Sequence, residues 1–156
     1  MTEDGFFSDD PIPVEALEER ARGEEGRAVV TFQGVIRADK EGGEELAHVI
    51  YEADRPRAED DIRALVREVS ERWNGATLLF HHRLGMVSVG ETGVFMAVSA
   101  GKRQDALSAC HHAAERVRTL PGLRKKDVFR DGTSRFSLKP HMTILLSDDA
   151  ISLPQS

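Results

Sequence analysis

The chain has one cysteine, Cys110, so an intramolecular disulfide framework is excluded, and a lone thiol fits a reducing compartment. It lacks any run of about 18 consecutive apolar residues, the length a membrane-spanning helix needs. The opening stretch, MTEDGFFSDDPIPVE, has acids where a secretory leader has a basic region, and no apolar core follows. A cytoplasmic protein is the expectation. Also missing are G-x-G-x-x-G and G-x-x-x-x-G-K-[ST], which leaves nucleotide cradling without a pattern, and C-x-x-C and H-E-x-x-H, which leaves metal binding without one. There is no internal repeat and no low-complexity segment.

Net positive charge is absent from the whole, at −6, but not from every part. Between Gly101 and Pro140 ten lysines and arginines face four acids, a local +6, so the rest of the chain carries −12. An acidic total argues against a general nucleic-acid coat, while the basic region can hold a phosphate, a carboxylate or an acidic chain tail. With 156 residues, 40% of them hydrophobic, the chain suits one domain with its own core.

Periodicity supplies the elements. VEALEERA (Val14 to Ala21) suits a short helix, and AVVTFQGVI (Ala28 to Ile36) reads as a strand broken at Gly34, with Arg37 at its end. A charged turn with a Gly pair leads to LAHVIYEA (Leu46 to Ala53), expected to complete a hairpin with that strand. Pro56 suits a first helical turn, and Ile62, Leu65, Val66, Val69 and Trp73 recur at three- and four-residue steps, which predicts a helix over Pro56 to Trp73. TLLFHHRLG and SVGETGVFMAVSA predict two more strands. From Gln104, the residues Leu107, Cys110, Ala113, Ala114 and Val117 predict a second long helix, closed by Pro121-Gly122. GLRKKDVFRDG then reads as a loop, and TSRFSLK and MTILL as closing strands. This order predicts an α+β fold, with helices on one side of a mostly antiparallel sheet.

His81-His82 on a strand point to opposite faces and His111-His112 on a helix diverge by about 100°, so neither pair chelates one ion easily. Packing or surface histidines are the expectation. Cys110 falls on the apolar stripe of its helix, as a buried structural thiol does. Lys102 and Arg103 stand near a helix N-terminus, where free backbone N–H groups favour an anion. Arg37 ends a strand, and Arg124, Lys125 and Lys126 follow the far end of the second helix. A shared site for all of them requires the tertiary fold, or a second subunit, to bring them together. From the residues alone, an anion-binding α+β domain and a solvated basic face both stay open.

GRAVVTFQGVIR (Gly26 to Arg37), VIYEA, the helix ending ERW, HHRLGMVSVGE, AVSAGKR and LRKKDVFRDG resemble, in order and spacing, the MoaE family of large, catalytic subunits of molybdopterin synthase. The resemblance covers roughly Gly26 to Phe136. It implies an α/β hammerhead fold with two long helices, over a catalytic domain of residues 26–146 between a leader of 1–25 and a tail of 147–156. It further implies a homodimer flanked by two small ubiquitin-like sulfur carriers of the MoaD type, a heterotetramer. The carrier's thiocarboxylate would give sulfur to cyclic pyranopterin monophosphate, making the molybdopterin dithiolene without a bound metal or other cofactor. A cyclic phosphate and a carboxylate-ended tail both want cations.

The resemblance also assigns residues. Arg37 matches the arginine closing the first strand motif, Arg103 the arginine of a His-Arg pair, Lys125 a reactive lysine and Lys126 the basic residue after it. Lys125 is the expected catalytic group, a proton acceptor or transient nucleophile. The chain departs from the family pattern at Lys102, where the family has His; at Arg124, where it has Trp; at Pro121, its proline lying nearer the lysine; and at Arg118, where it has a second lysine. Arginine keeps the charge but gives up no proton, so Arg118 can grip an anion and cannot act as base or nucleophile. A non-catalytic relative that docks and holds the carrier is therefore the competing expectation, and a phosphometabolite-binding domain outside the pathway a third.

Overall fold

Residues 3–23, 26–38 and 44–136 are described by the computed structural model. A 3-10 turn, Glu3–Phe6, leads into β1 (Phe7–Ser8), α1 (Val14–Ala21), β2 (Ala28–Val35), β3 (Leu46–Ala53), α2 (Arg55–Arg72) and β4 (Thr77–Arg83). The chain continues through β5 (Gly85–Ser88), β6 (Thr92–Ala100), α3 (Arg103–Arg118), β7 (Leu123–Phe129) and β8 (Ser134–Phe136). The fold is α+β, built on two four-stranded sheets ordered β1-β4-β6-β2 and β5-β3-β7-β8. Among the described residues, all pairings are antiparallel except β1 with β4.

The two long helices form where the apolar spacing placed them. In α2, Ala58, Ile62, Leu65 and Val69 are buried on one stripe, Pro56 sits in the first turn, and left-handed Asn74 and Gly75 turn the chain away after Trp73. In α3 the buried stripe is Ala106, Ala109, Cys110, Ala113 and Val117, small side chains that let the helix lie close to the sheet.

β6 organises the first sheet. Met96, Val98 and Ala100 face α2 and α3, while Phe95 and Ala97 meet Leu17 of α1 on the other side. Buried on both faces, β6 reads as a continuous apolar run rather than an alternation. The two long helices thus share one face of the first sheet, and α1 covers the opposite one. Residues assigned to a leader belong to the same body: β1 pairs with β4, and Phe7 is buried in the main core.

Two expectations are corrected. β2 and β3 form no hairpin: β2 pairs along its length with β6, and β3 pairs with β5 and β7 in the other sheet. A strand buried on both faces needs a neighbour on each edge, and β2 and β4 fill those places beside β6. β3 instead brings Leu46 and Val49 to a separate core with Ile36, Val87 and Phe129. Second, the cationic segment after α3 is not a loop. It is β7, held between β3 and β8, with its apolar positions masked in the sequence by the charges between them. Of TSRFSLK, Ser134–Phe136 forms β8; residues 137–139 and MTILL (142–146) lie outside the described residues. No described helix is long and apolar enough to cross a membrane.

Candidate active site

Recognising β7 as a strand sorts its three cations, because successive side chains in a strand face opposite ways. Leu123, Lys125, Asp127 and Phe129 share the inward face; Arg124 and Lys126 face out. Outside, the Arg124 guanidinium bonds Glu52 at 2.7 Å and lies 4.4 Å from the Phe136 ring centre, and the Lys126 ammonium stands 5.7 Å from that ring. Inside, Lys125 Nζ is 3.8 Å from Asp127 Oδ1, with the carboxylate buried and the lysine about one-third exposed at 34%. One strand therefore sends two cations to one surface and a third, backed by a buried acid, to another.

The register extends this inner cluster. Tyr51 of β3 pairs with Lys125, and Val49 with Asp127. The Tyr51 ring meets His82 of β4 edge-on at 4.6 Å, joining the two sheets. Burial, and after it the Asp127 charge, pushes the Tyr51 phenol up to about 12, so it keeps its proton. Burial likewise lowers His82 to about 4, against a bond to the Arg83 carbonyl that favours the proton, so the imidazole is neutral.

Arg118 ends α3 and lies beside an open groove of about 480 Å³. Val30, Thr31 and Phe32 of β2 form one wall of it, and Leu107, His111 and Glu115 of α3 the other. Glu115 approaches Arg118 at 3.5 Å. Phe32 and Leu107 are 40% and 47% exposed, so the groove offers apolar walls with a cation at one end. Cys110 also lines it, but the residue is buried and burial raises its thiol, which opposes a nucleophilic role.

Lys102 and Arg103 lie at the other end of α3, exposed, with Lys102 as N-cap. Fifteen residue steps at the helical rise separate Arg103 from Arg118 by about 22 Å. Because α3 doubles back along β6 and β2, Arg118 returns toward the end of β2 where the exposed Arg37 leaves the strand. A Cβ added at Gly93, early in β6, would meet both Tyr51 and Ile36, which places the Tyr51 cluster at that same end. The chain thus gathers Arg37, Arg118 and Lys125 toward one end of the first sheet, sets Lys102 and Arg103 at the other, and turns Arg124 and Lys126 outward. Among the described residues, no group of three or more His, Cys, Asp or Glu side chains is arranged to hold a metal ion. Tyr51 and Asp127 escaped sequence reading, while His82, expected as a packing or surface histidine, packs in the core. The alternation Leu-x-Lys-x-Asp-x-Phe, read as a strand, is the signal that could have found Asp127.

Fold and relatives define the class as the catalytic subunit of an enzyme. The family model described as MoaE protein matches residues 7–120, reaching Arg37, Lys102, Arg103 and Arg118 and ending before Lys125. The molybdopterin synthase catalytic subunit of Bacillus subtilis is 32% identical over 122 residues, 78% of this chain and 77% of its own. The crystal structure of molybdopterin synthase from Staphylococcus aureus superposes with a TM-score of 0.79 at 30% identity, over 88% of this chain and 98% of that one. At the level of fold alone, a complex of subunits 1 and 2 of molybdopterin-converting factor from Helicobacter pylori matches with a TM-score of 0.69 at 14% identity, over 86% of this chain and 90% of that one. The chain belongs to the MoaE family, a family of molybdenum cofactor biosynthesis.

Proposed function

We propose that this chain is the catalytic subunit of a molybdopterin synthase, moving sulfur from the thiocarboxylated tail of a small ubiquitin-like carrier to cyclic pyranopterin monophosphate and so forming the dithiolene. Identity to a catalytic subunit along 78% of the chain carries this reading. The site chemistry supports it. Lys125 is the reacting group, brought to the substrate by a buried carboxylate behind it. Arg37, Lys102 and Arg103 grip the phosphate through charge-assisted bonds, which are shorter and stronger than neutral ones. The groove between β2 and α3 suits an extended, carboxylate-ended tail, with Arg118 as the cation that meets its end. Arg124 and Lys126, facing away from Lys125, address the carrier's surface rather than the pterin. The two-subunit complex of the Helicobacter pylori protein supports a partner of this kind.

The 22 Å or so between the two ends of α3 supports one site built from two copies, the Lys102 and Arg103 of one approaching the Lys125 of the other. The working assembly is then a homodimer with a carrier on each flank. A lone buried thiol and chemistry of reduced sulfur suit the cytoplasm.

Single-turnover conversion of cyclic pyranopterin monophosphate, with thiocarboxylated carrier at known ratio and product read as its oxidised fluorescent derivative, tests the proposal. Product is expected, and Lys125→Ala should lower its rate at least about a hundredfold, the range spanned by loss of one acid–base or electrostatic catalytic group. Unchanged turnover in that variant would remove Lys125 from the chemistry. Arg118 favours a second reading, a docking module that holds the carrier, because it gives up no proton. Carrier binding without product, together with a large gain on Arg118→Lys, would establish that one.

A further inference from the structure

We propose that Tyr51 is a positioning residue for Lys125, its hydroxyl donating to the Asp127 carboxylate that steadies the ammonium, a role that rests on Lys125 being the reacting group. The β3–β7 register sets Tyr51 directly opposite Lys125 and diagonal to Asp127, all on one face of the second sheet. Diagonal neighbours across a sheet lie within reach of an aromatic side chain. A carboxylate 2% exposed, like that of Asp127, is costly unless charges and donors surround it. Lys125 supplies the charge at 3.8 Å, and the register brings the phenol, a hydrogen-bond donor, to the same face.

The ring itself has little room to move. On one side it abuts the His82 ring at 4.6 Å. On the other it lies against Gly93, where a Cβ would stand 3.2 Å from ring Cε2 and 3.5 Å from the hydroxyl oxygen. Both contacts come from the first sheet, while Lys125 and Asp127 belong to the second. Tyr51 thus ties the lysine of one sheet to the frame of the other. The titratable groups facing the ring are Asp127 and Lys125 from β7 and His82 from β4. His82 is neutral above about pH 4 and adds no competing charge, and the phenol, pushed up by burial and then by Asp127, stays a donor over the working pH range.

The chain contains one tyrosine, so phenolate absorbance reports Tyr51 alone. Titrated upward in pH to the point where circular dichroism begins to change, Asp127→Asn should form phenolate at lower pH than the parent protein. Superimposed curves would show that phenol and carboxylate do not interact and would overturn the proposal whether or not the chain makes molybdopterin. In the sulfur-transfer assay, Tyr51→Phe keeps the ring and removes the hydroxyl. It should lower kcat about fivefold, the worth of one hydrogen bond, with KM within about twofold. The same change made in Asp127→Asn should cost nothing further. An undiminished kcat in Tyr51→Phe, or a loss that persists in the Asp127→Asn background, would also overturn the proposal.

Discussion

At the scale of single residues, a neutral histidine in the core makes stability depend on pH. His82 is 3% exposed, packed by Phe7, Phe80 and Tyr51, and its folded-state value is lowered from 6.5 to about 4. Unfolding frees the ring to bind a proton near its ordinary value, so the unfolded chain gains protons first as pH falls. The stability owed to the neutral ring is fully present above pH 6.5 and is lost as pH drops toward 4, about 3 kcal/mol in all. Urea unfolding at pH 7, 5.5 and 4.5 should show that decline, and His82→Gln should flatten it; a slope unchanged by the substitution would assign the acid sensitivity elsewhere. The sequence placed His81 and His82 on opposite strand faces, where they do not easily share one ion, but it could not say which one the core would take. That choice was made by β4 pairing with β6, a long-range contact with no trace in local periodicity. The same limit hid Asp127. A charged residue between two basic ones and a valine reads as surface until β3 fixes its face.

At the scale of elements, close fit between β2 and β6 depends on a residue without a side chain. A Cβ at Gly34 would lie 2.8 Å from Val94 Cγ1, beside the point where the β2–β6 register shifts. Gly34→Ala should therefore destabilise by about 1–3 kcal/mol, the usual cost of overpacking. Val94→Ala in that background should recover part of the loss, so that the double variant is more stable than the two single effects predict. Denaturant midpoints of the four proteins measure this directly, and strict additivity would show that the two residues do not touch. Gly34 was legible only as a break in the strand. α1, α2 and α3 were read to within a few residues of their observed ends, the two long ones because each buries a stripe that recurs at helical spacing. The strands were less legible as partners. β5 was merged with its neighbours because its four residues are too few to establish an alternation, and β7 was taken for a loop because four of its seven residues are charged.

At the scale of the whole molecule, the basic region detected in the sequence turns out to be three surfaces rather than one. Charge counting could find the excess of lysine and arginine from Gly101 onward, but it could not see that α3 carries part of it to one end of the first sheet and part to the other. Proximity in sequence and proximity in space part company wherever a helix spans the domain. If Arg103 and Lys125 serve one site contributed by two copies, two inactive variants should repair each other. Arg103→Ala and Lys125→Ala proteins, mixed and allowed to exchange subunits, form mixed dimers in which one site has both residues and the other has neither. Random exchange should then restore about a quarter of the parent activity, since half the dimers are mixed and each has one good site. A site complete within one chain gives no recovery at all, because every chain in the mixture lacks one residue. Co-recovery of both variants on an affinity tag carried by one of them, with carrier present, separates failure to complement from failure to exchange. Mixed dimers without activity would place Arg103 and Lys125 in a site complete within one chain.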